Sequence, residues 1–309
     1  TSRPGTASPS MWWRPSESGW PPPIGRGTLS IDLKDQFFGC EIEMTGLTRQ
    51  QAAEAVAALF GTTASHSRSS RTYDPWEVTD NEGKTWRFVF DASIRATHRS
   101  GRRQLSTGDD TYKVEMNSPK LEYSEMGKLQ EVVRALRHAG AVVNSSCGMH
   151  VHVDASKHTP QSLKNALSIM YSKEDILFAA LKVNPARIDS YCQAVDEPIL
   201  EEIRKLPSGA SMDQLKDRWY RGRDGSDYHY HQSRYHALNL HSVFYHGTVE
   251  WRLFNSTLHA GEVKANIILA TTNSILKICR IRLHGKRCKA ICLQICRKSR
   301  RNVCRRTFP

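Results

Sequence analysis

Apolar and polar positions alternate through "QFFGCEIEM", residues 36–44, setting Ile42 opposite Glu41 and Glu43 and predicting a strand. After Gly46 the period changes. In "TRQQAAEAVAALFG" Thr48 is followed three residues later by Gln51, a capping-box pattern, and the run stops at Gly61, so a helix is predicted between them. "TYDPWEV" (72–78) and "KTWRFVF" (84–90), joined by the turn-forming "DNEG", predict a hairpin, and the basic "RATHRSGRRQLSTGDD" that follows reads as a loop. A short strand at Thr111–Met116, a helix over about 123–139 ending at Gly140, and a strand through "HVHV" come next.

Thr159-Pro160 is an N-cap and N1 pair for a helix expected to run to about Leu181, with shorter helices over 186–194, 198–205 and 211–220. "HALNLHSVF" and "TVEWRLF", joined by "YHG", predict a second hairpin, and "AGEVKANIILATTNSIL" a last amphipathic helix. Hairpin-joined strands with intervening helices and no regular βαβ alternation predict an α+β domain with a largely antiparallel sheet.

Parity within each strand shows which residues share a face. Apolar Ile42, Val151, Val153, Val249, Trp251 and Leu253 claim one side, leaving Glu41, Glu43, Glu115, His150, His152, Asn239, His241, Glu250 and Arg252 on the other. A solvated face is ordinarily supplied with Thr, Lys, Ser and Gln. Four glutamates on one sheet would repel one another and raise each other's pKa unless cations sat among them, so a divalent-metal site is expected. Clustered carboxylates suit Mg²⁺ or Mn²⁺ better than zinc, although two histidines leave zinc open, and Arg252 could clamp phosphate bidentately beside the metal.

Size and charge refine this picture. The 309 residues, 39% of them hydrophobic, allow a sizeable core, and no apolar run is long enough for a membrane span. The formal charge of +13 resides almost wholly in residues 277–309, which hold twelve Lys and Arg and no acid. Five of the eight cysteines crowd there too; Cys40, Cys147 and Cys192 are dispersed, as suits a reducing compartment. The expected organisation is a disordered, Pro-rich leader over 1–30, a catalytic domain over 31–276, and a basic Cys-rich tail over 277–309. That tail reads either as out-of-frame translation or as a nucleic-acid-binding run. With no signal-peptide pattern, a cytoplasmic protein without a membrane partner is expected.

In order along the chain, "FFGCEIEMTG", "YKVEMNSP", "CGMHVHVD", "RYHALNLHS" and "TVEWRLFNSTLHAGEVKA" resemble the motifs of the amidoligase family, relatives of glutamate–cysteine ligase and glutamine synthetase. The resemblance covers about residues 36–275. It implies a curved antiparallel sheet with helices on its outer face and an ATP- and Mg²⁺-dependent carboxylate–amine ligase, working through an acyl phosphate to form an amide or isopeptide bond. By the same resemblance Glu41, Glu43, Glu115 and Glu250 hold metal, His150 and His152 bind metal or nucleotide, and Arg234, Asn239 and Arg252 contact phosphate or substrate. The substrates would be a carboxylate and an amine, including peptide or protein amines.

Alternatives remain at this level. The HxH strand could serve a metal-dependent hydrolase, although the pair sits near mid-chain and lacks the cupin Glu. Cys147 close to His150 could be a thiol nucleophile. The tail and "HRSGRR" could make this a nucleic-acid-binding protein. Tyr228-His-Tyr-His231 reads as a polar loop or a substrate loop.

Overall fold

The structure is a computed structural model that describes residues 33–99 and 105–278. The leader at 1–30 and the basic tail, apart from the end of the last helix, lie outside the described residues. The sheet begins with β1 (Phe38–Met44), followed by α1 (Arg49–Phe60), β2 (Ala64–His66), β3 (Trp76–Thr79), β4 (Thr85–Val89) and the pair β5 (Thr97–Arg99) and β6 (Leu105–Thr107). Then come β7 (Val114–Asn117), α2 (Met126–Ala139), β8 (Gly148–Asp154), α3 (Pro160–Tyr171), α4 (Glu174–Leu181), α5 (Pro185–Ser190), α6 (Glu197–Arg204) and α7 (Met212–Trp219). β9 (Leu238–Asn239), α8 (His241–His246), β10 (Thr248–Asn255) and α9 (Ala260–Ile278) close the order.

Eight strands form one sheet in the order β2-β3-β4-β7-β1-β8-β10-β9, every pair antiparallel. It is neither closed nor curled on itself, and β2 and β9 are its edges among the described residues. β1 is central. Its alternate residues Phe38, Cys40, Ile42 and Met44 join Val151 and Trp251 against a helical layer contributed by Ala52 and Val56 of α1, Leu129, Val132 and Leu136 of α2, and Val263 and Ile267 of α9. Each such Val, Leu, Ile, Phe or Met side chain contributes roughly 1.5–3 kcal/mol of burial free energy.

Local chemistry sets the helix ends. The Thr48/Gln51 box caps α1 reciprocally and Gly61, left-handed at φ 67°, closes it. Gly46 turns the chain from β1 into α1 at φ +90°, where a Cβ would meet the Gly140 carbonyl at 2.9 Å. Thr159 and Ser162 form a second capping box at the start of α3, with Pro160 as its first helical residue.

Several expectations change. The helix expected to reach Leu181 breaks at Ser172 and Lys173 into α3 and α4. Residues 72–75 stay out of β3, a 3₁₀ turn at Asp110–Tyr112 delays β7 to Val114, and the basic loop contains the β5–β6 pair. "HALNLHSVF" is the largest departure. Only Leu238 and Asn239 pair with β10; His241–His246 turns helical because the Asn239 carboxamide accepts from the His241 amide at 2.8 Å and Gly247 supplies a left-handed cap. Among the described residues no helix is long and apolar enough to cross a membrane.

Candidate active site

The face of the sheet away from α1, α2 and α9 carries the polar members of each strand in register. Glu41 on β1 stands opposite His150 on β8 and Asn117 on β7, and Glu43 stands opposite Glu115. Glu250 on β10 stands opposite His152 on one side and Asn239 on the other. Five strands thus bring together seven of the residues singled out by parity, five of them buried and Glu41 and Glu115 half-buried.

Two acidic groups flank β1. In the first, Glu41, His152 and Glu250 place one donor atom each within 4.8 Å of the others. His150 Nδ1 lies 2.8 Å from Glu41 Oε2, and His152 Nε2 lies 3.4 Å from Glu41 Oε1. The second group joins Glu43, Glu115 and Asp91 within the same span. Asp91 is not among the residues that parity singles out, because it lies beyond the end of β4; yet Arg87 and Val89 pair with Asn117 and Glu115, and continuing their parity one step reaches it.

The electrostatics of the two groups are opposite. Burial works to raise the Glu41 carboxyl, but His152 and His150 outweigh it and hold the group well below the usual carboxylate range. Glu250 is likewise depressed against its burial, chiefly by Arg252. On the other side burial, with Asp91 adding repulsion, pushes Glu43 up to about 8. Burial and then the charges of Glu41, Asp91 and Glu43 raise Glu115 well above its ordinary value. Burial, with Arg252 close by, lowers His150 to about 4.

This donor set fits a divalent cation. His150 Nε2 is buried, has no hydrogen-bond partner and faces Glu43 Oε1 at 3.8 Å, so one imidazole lone pair and several carboxylate oxygens converge without enough donors to satisfy them. Hard oxygens dominate, as Mg²⁺ and Mn²⁺ prefer. Either group could hold one ion.

Arg252 reaches this face at a bulge, where β10 gains a residue on β8 between Trp251 and Phe254. Its Nη1 donates to Glu250 at 2.5 Å and its Nε to the Tyr191 carbonyl at 3.2 Å. Arg187 of α5, which parity could not find, is also fully buried and donates through Nη2 to the Arg252 carbonyl at 3.2 Å. Its guanidinium lies over Gly148, where an added Cβ would sit 2.1 Å from Nη1. Gly148 in turn donates its amide to Glu43 at 2.7 Å.

The remaining expected residues separate. Asn239 touches Glu250, donating at 2.6 Å. Arg234 makes no described contact with the carboxylates: its guanidinium packs over the Tyr230 and Tyr235 rings and donates to the His229 carbonyl. His241 is not on the sheet face; helical α8 turns it to the Tyr220 hydroxyl at 2.5 Å. The Tyr228–His231 loop folds toward the sheet, and the Tyr230 and Tyr73 hydroxyls meet across 157 residues of sequence. Cys147 is buried and burial pushes its thiol up to about 11, which leaves little thiolate for nucleophilic attack.

No curated protein matches the chain. A family model described as "Putative amidoligase enzyme" matches residues 34–273, from just before β1 into α9, and so takes in both acidic groups, Arg187 and Arg252. The chain belongs to the amidoligase family.

Proposed function

We propose that this protein is an ATP- and Mg²⁺-dependent carboxylate–amine ligase, with Mn²⁺ as an alternative ion. The observation that carries the proposal is the pair of acidic groups on either side of β1 with Arg252 beside them, a site for a polyanion and cations on one buried face. ATP would pass its γ-phosphoryl group to a substrate carboxylate, releasing ADP. An amine nitrogen would then attack the acyl carbon and expel orthophosphate, leaving an amide or isopeptide bond. Glutamine synthetase and glutamate–cysteine ligase would be its distant relatives in fold and chemistry.

Glu41, His152 and Glu250 would hold one ion, and Glu43, Glu115 and Asp91 a second, with His150 between the groups. The ions would neutralise charge on the phosphoryl oxygens. Arg252 would orient a phosphoryl group, Glu250 and the Tyr191 carbonyl fixing its planar fork. Asn239 supports the same strand by holding Glu250. No protein nucleophile is required, in keeping with the buried, protonated Cys147.

Orthophosphate release from ATP, screened in Mg²⁺ against pooled carboxylates and amines including peptides, tests the proposal. Release that needs both a carboxylate and an amine and disappears in Glu41→Gln supports it. Hydrolysis of amides or esters without ATP would instead assign the HxH strand to a metal-dependent hydrolase.

A further inference from the structure

The hydroxyls of Thr248 and Ser242 lie behind His152, on the side away from the carboxylates. Thr248 opens β10 and is fully buried; its Oγ1 lies 2.9 Å from His152 Nδ1. Ser242, on α8, is equally buried, with Oγ 2.8 Å from Thr248 Oγ1 and 3.4 Å from the same Nδ1. His246, one helical turn after Ser242, sets its ring edge-on to His152 with centroids 6.1 Å apart. The helical turn that replaces the expected strand is therefore what brings a second hydroxyl and a ring to the rear of His152.

We infer that Thr248, backed by Ser242, is a positioning residue that fixes His152 with Nδ1–H pointing backward and Nε2 pointing forward to the cation. The inference rests on the cation-binding reading of the Glu41, His152 and Glu250 group. An imidazole has two nitrogens of which one carries the proton when the ring is neutral, and the hydrogen bond at the rear nitrogen selects the other as the ligand. Here Nδ1–H donates to Thr248 Oγ1, and the Thr248 hydroxyl passes its own proton toward Ser242 Oγ. Nε2, 3.4 Å from Glu41 and 3.9 Å from Glu250, is then the nitrogen held toward those carboxylates, where a bound cation would take its lone pair. Without the hydroxyl, either nitrogen could carry the proton and the ring could turn.

The test compares Thr248→Val, which keeps the shape and removes the hydroxyl, with Thr248→Ser, which restores it, in the full chain. Mn²⁺ affinity is measured by calorimetry, together with the ¹⁵N shifts of the His152 ring without metal at a pH where the ring is neutral. Thr248→Val should weaken Mn²⁺ binding about 10- to 100-fold and mix the two tautomers, while Thr248→Ser retains the wild-type values. Ser242→Ala, which leaves β10 untouched, should show a smaller loss in the same direction. If wild type binds Mn²⁺ and Thr248→Val binds it equally well, the inference is overturned. Should wild type bind no Mn²⁺, the cation reading fails and the ring decides: a single tautomer in wild type but a mixture in Thr248→Val upholds the positioning role, and identical spectra refute it.

Discussion

Glu43 and Glu115 stand directly opposite each other on β1 and β7, two carboxyl groups paired in register inside the protein. Like charges so placed destabilise a sheet, and here they hold protons above the ordinary carboxylate range. A raised folded-state pKa stabilises the fold fully below the unfolded value, and that contribution is lost as pH rises through the folded one, about 8 for Glu43. Glu115→Gln, measured in chelator, should therefore gain stability over wild type as pH increases from about 5 to about 8. A constant difference in urea midpoint would contradict this.

Cation stoichiometry separates the two acidic groups. Asp91→Asn removes one carboxylate from the Glu43 group and touches nothing in the Glu41 group. Calorimetry with Mn²⁺ should fall from two ions per chain to one, and Glu250→Gln should spare the other ion. Unchanged stoichiometry in Asp91→Asn would remove Asp91 from the site.

Arg252→Lys keeps the positive charge and loses the planar fork that spans Glu250 and the Tyr191 carbonyl. ATP turnover should drop on the order of 10- to 1,000-fold, about 1.4–4 kcal/mol, with the fold retained. If Arg252 serves only to pair with Glu250, the melting temperature shifts and nucleotide affinity stays the same. Both are measured on one purified variant.

Glu174 provides a pH effect away from the site. It is buried at the start of α4, accepts the Val195 amide at 3.0 Å, and burial raises its pKa to about 7. Its protonated form stabilises the fold fully below the ordinary value of 4.5, and this stabilisation disappears as pH rises to about 7. Glu174→Gln keeps the acceptor oxygen and should flatten that part of the stability profile.

Gly148→Ala should destabilise the fold by about 1–3 kcal/mol, since its Cβ would enter the space of the Arg187 guanidinium. Combined with Arg187→Ala the cost should be less than additive, because the second change vacates that space. Urea denaturation of the four proteins in the cycle gives the coupling.

Strand parity alone assembled Glu41, Glu43, Glu115, His150, His152, Asn239 and Glu250, because a period of two is rigid wherever a strand is paired to a neighbour. It failed where pairing ends. Asp91 lies two residues past β4, and His241 lies beyond a strand of two residues whose continuation folds into α8. Arg187 was illegible for a different reason. It is carried by a six-residue helix far from β10 in sequence, and only tertiary packing over Gly148 brings it to Arg252. Gly148, by contrast, already stood in the quoted "CGMHVHVD" motif, but a glycine beginning a strand does not say what approaches it.

Because β1 is the central strand and its partners come late, the order of synthesis matters to this protein. Among the described strands β1 emerges first and β10 last, and His150 follows Glu41 by 109 residues. Pairing over such separations makes folding slow relative to helical domains of equal size. Until β10 arrives, β8 is an unpaired edge with apolar Val151 and Val153 on one side, a surface suited to pairing with another chain. A ribosome pausing before Thr248, or a chain cut there, would thus leave a species prone to aggregation, in which Glu41 and His152 have met but Glu250 is missing.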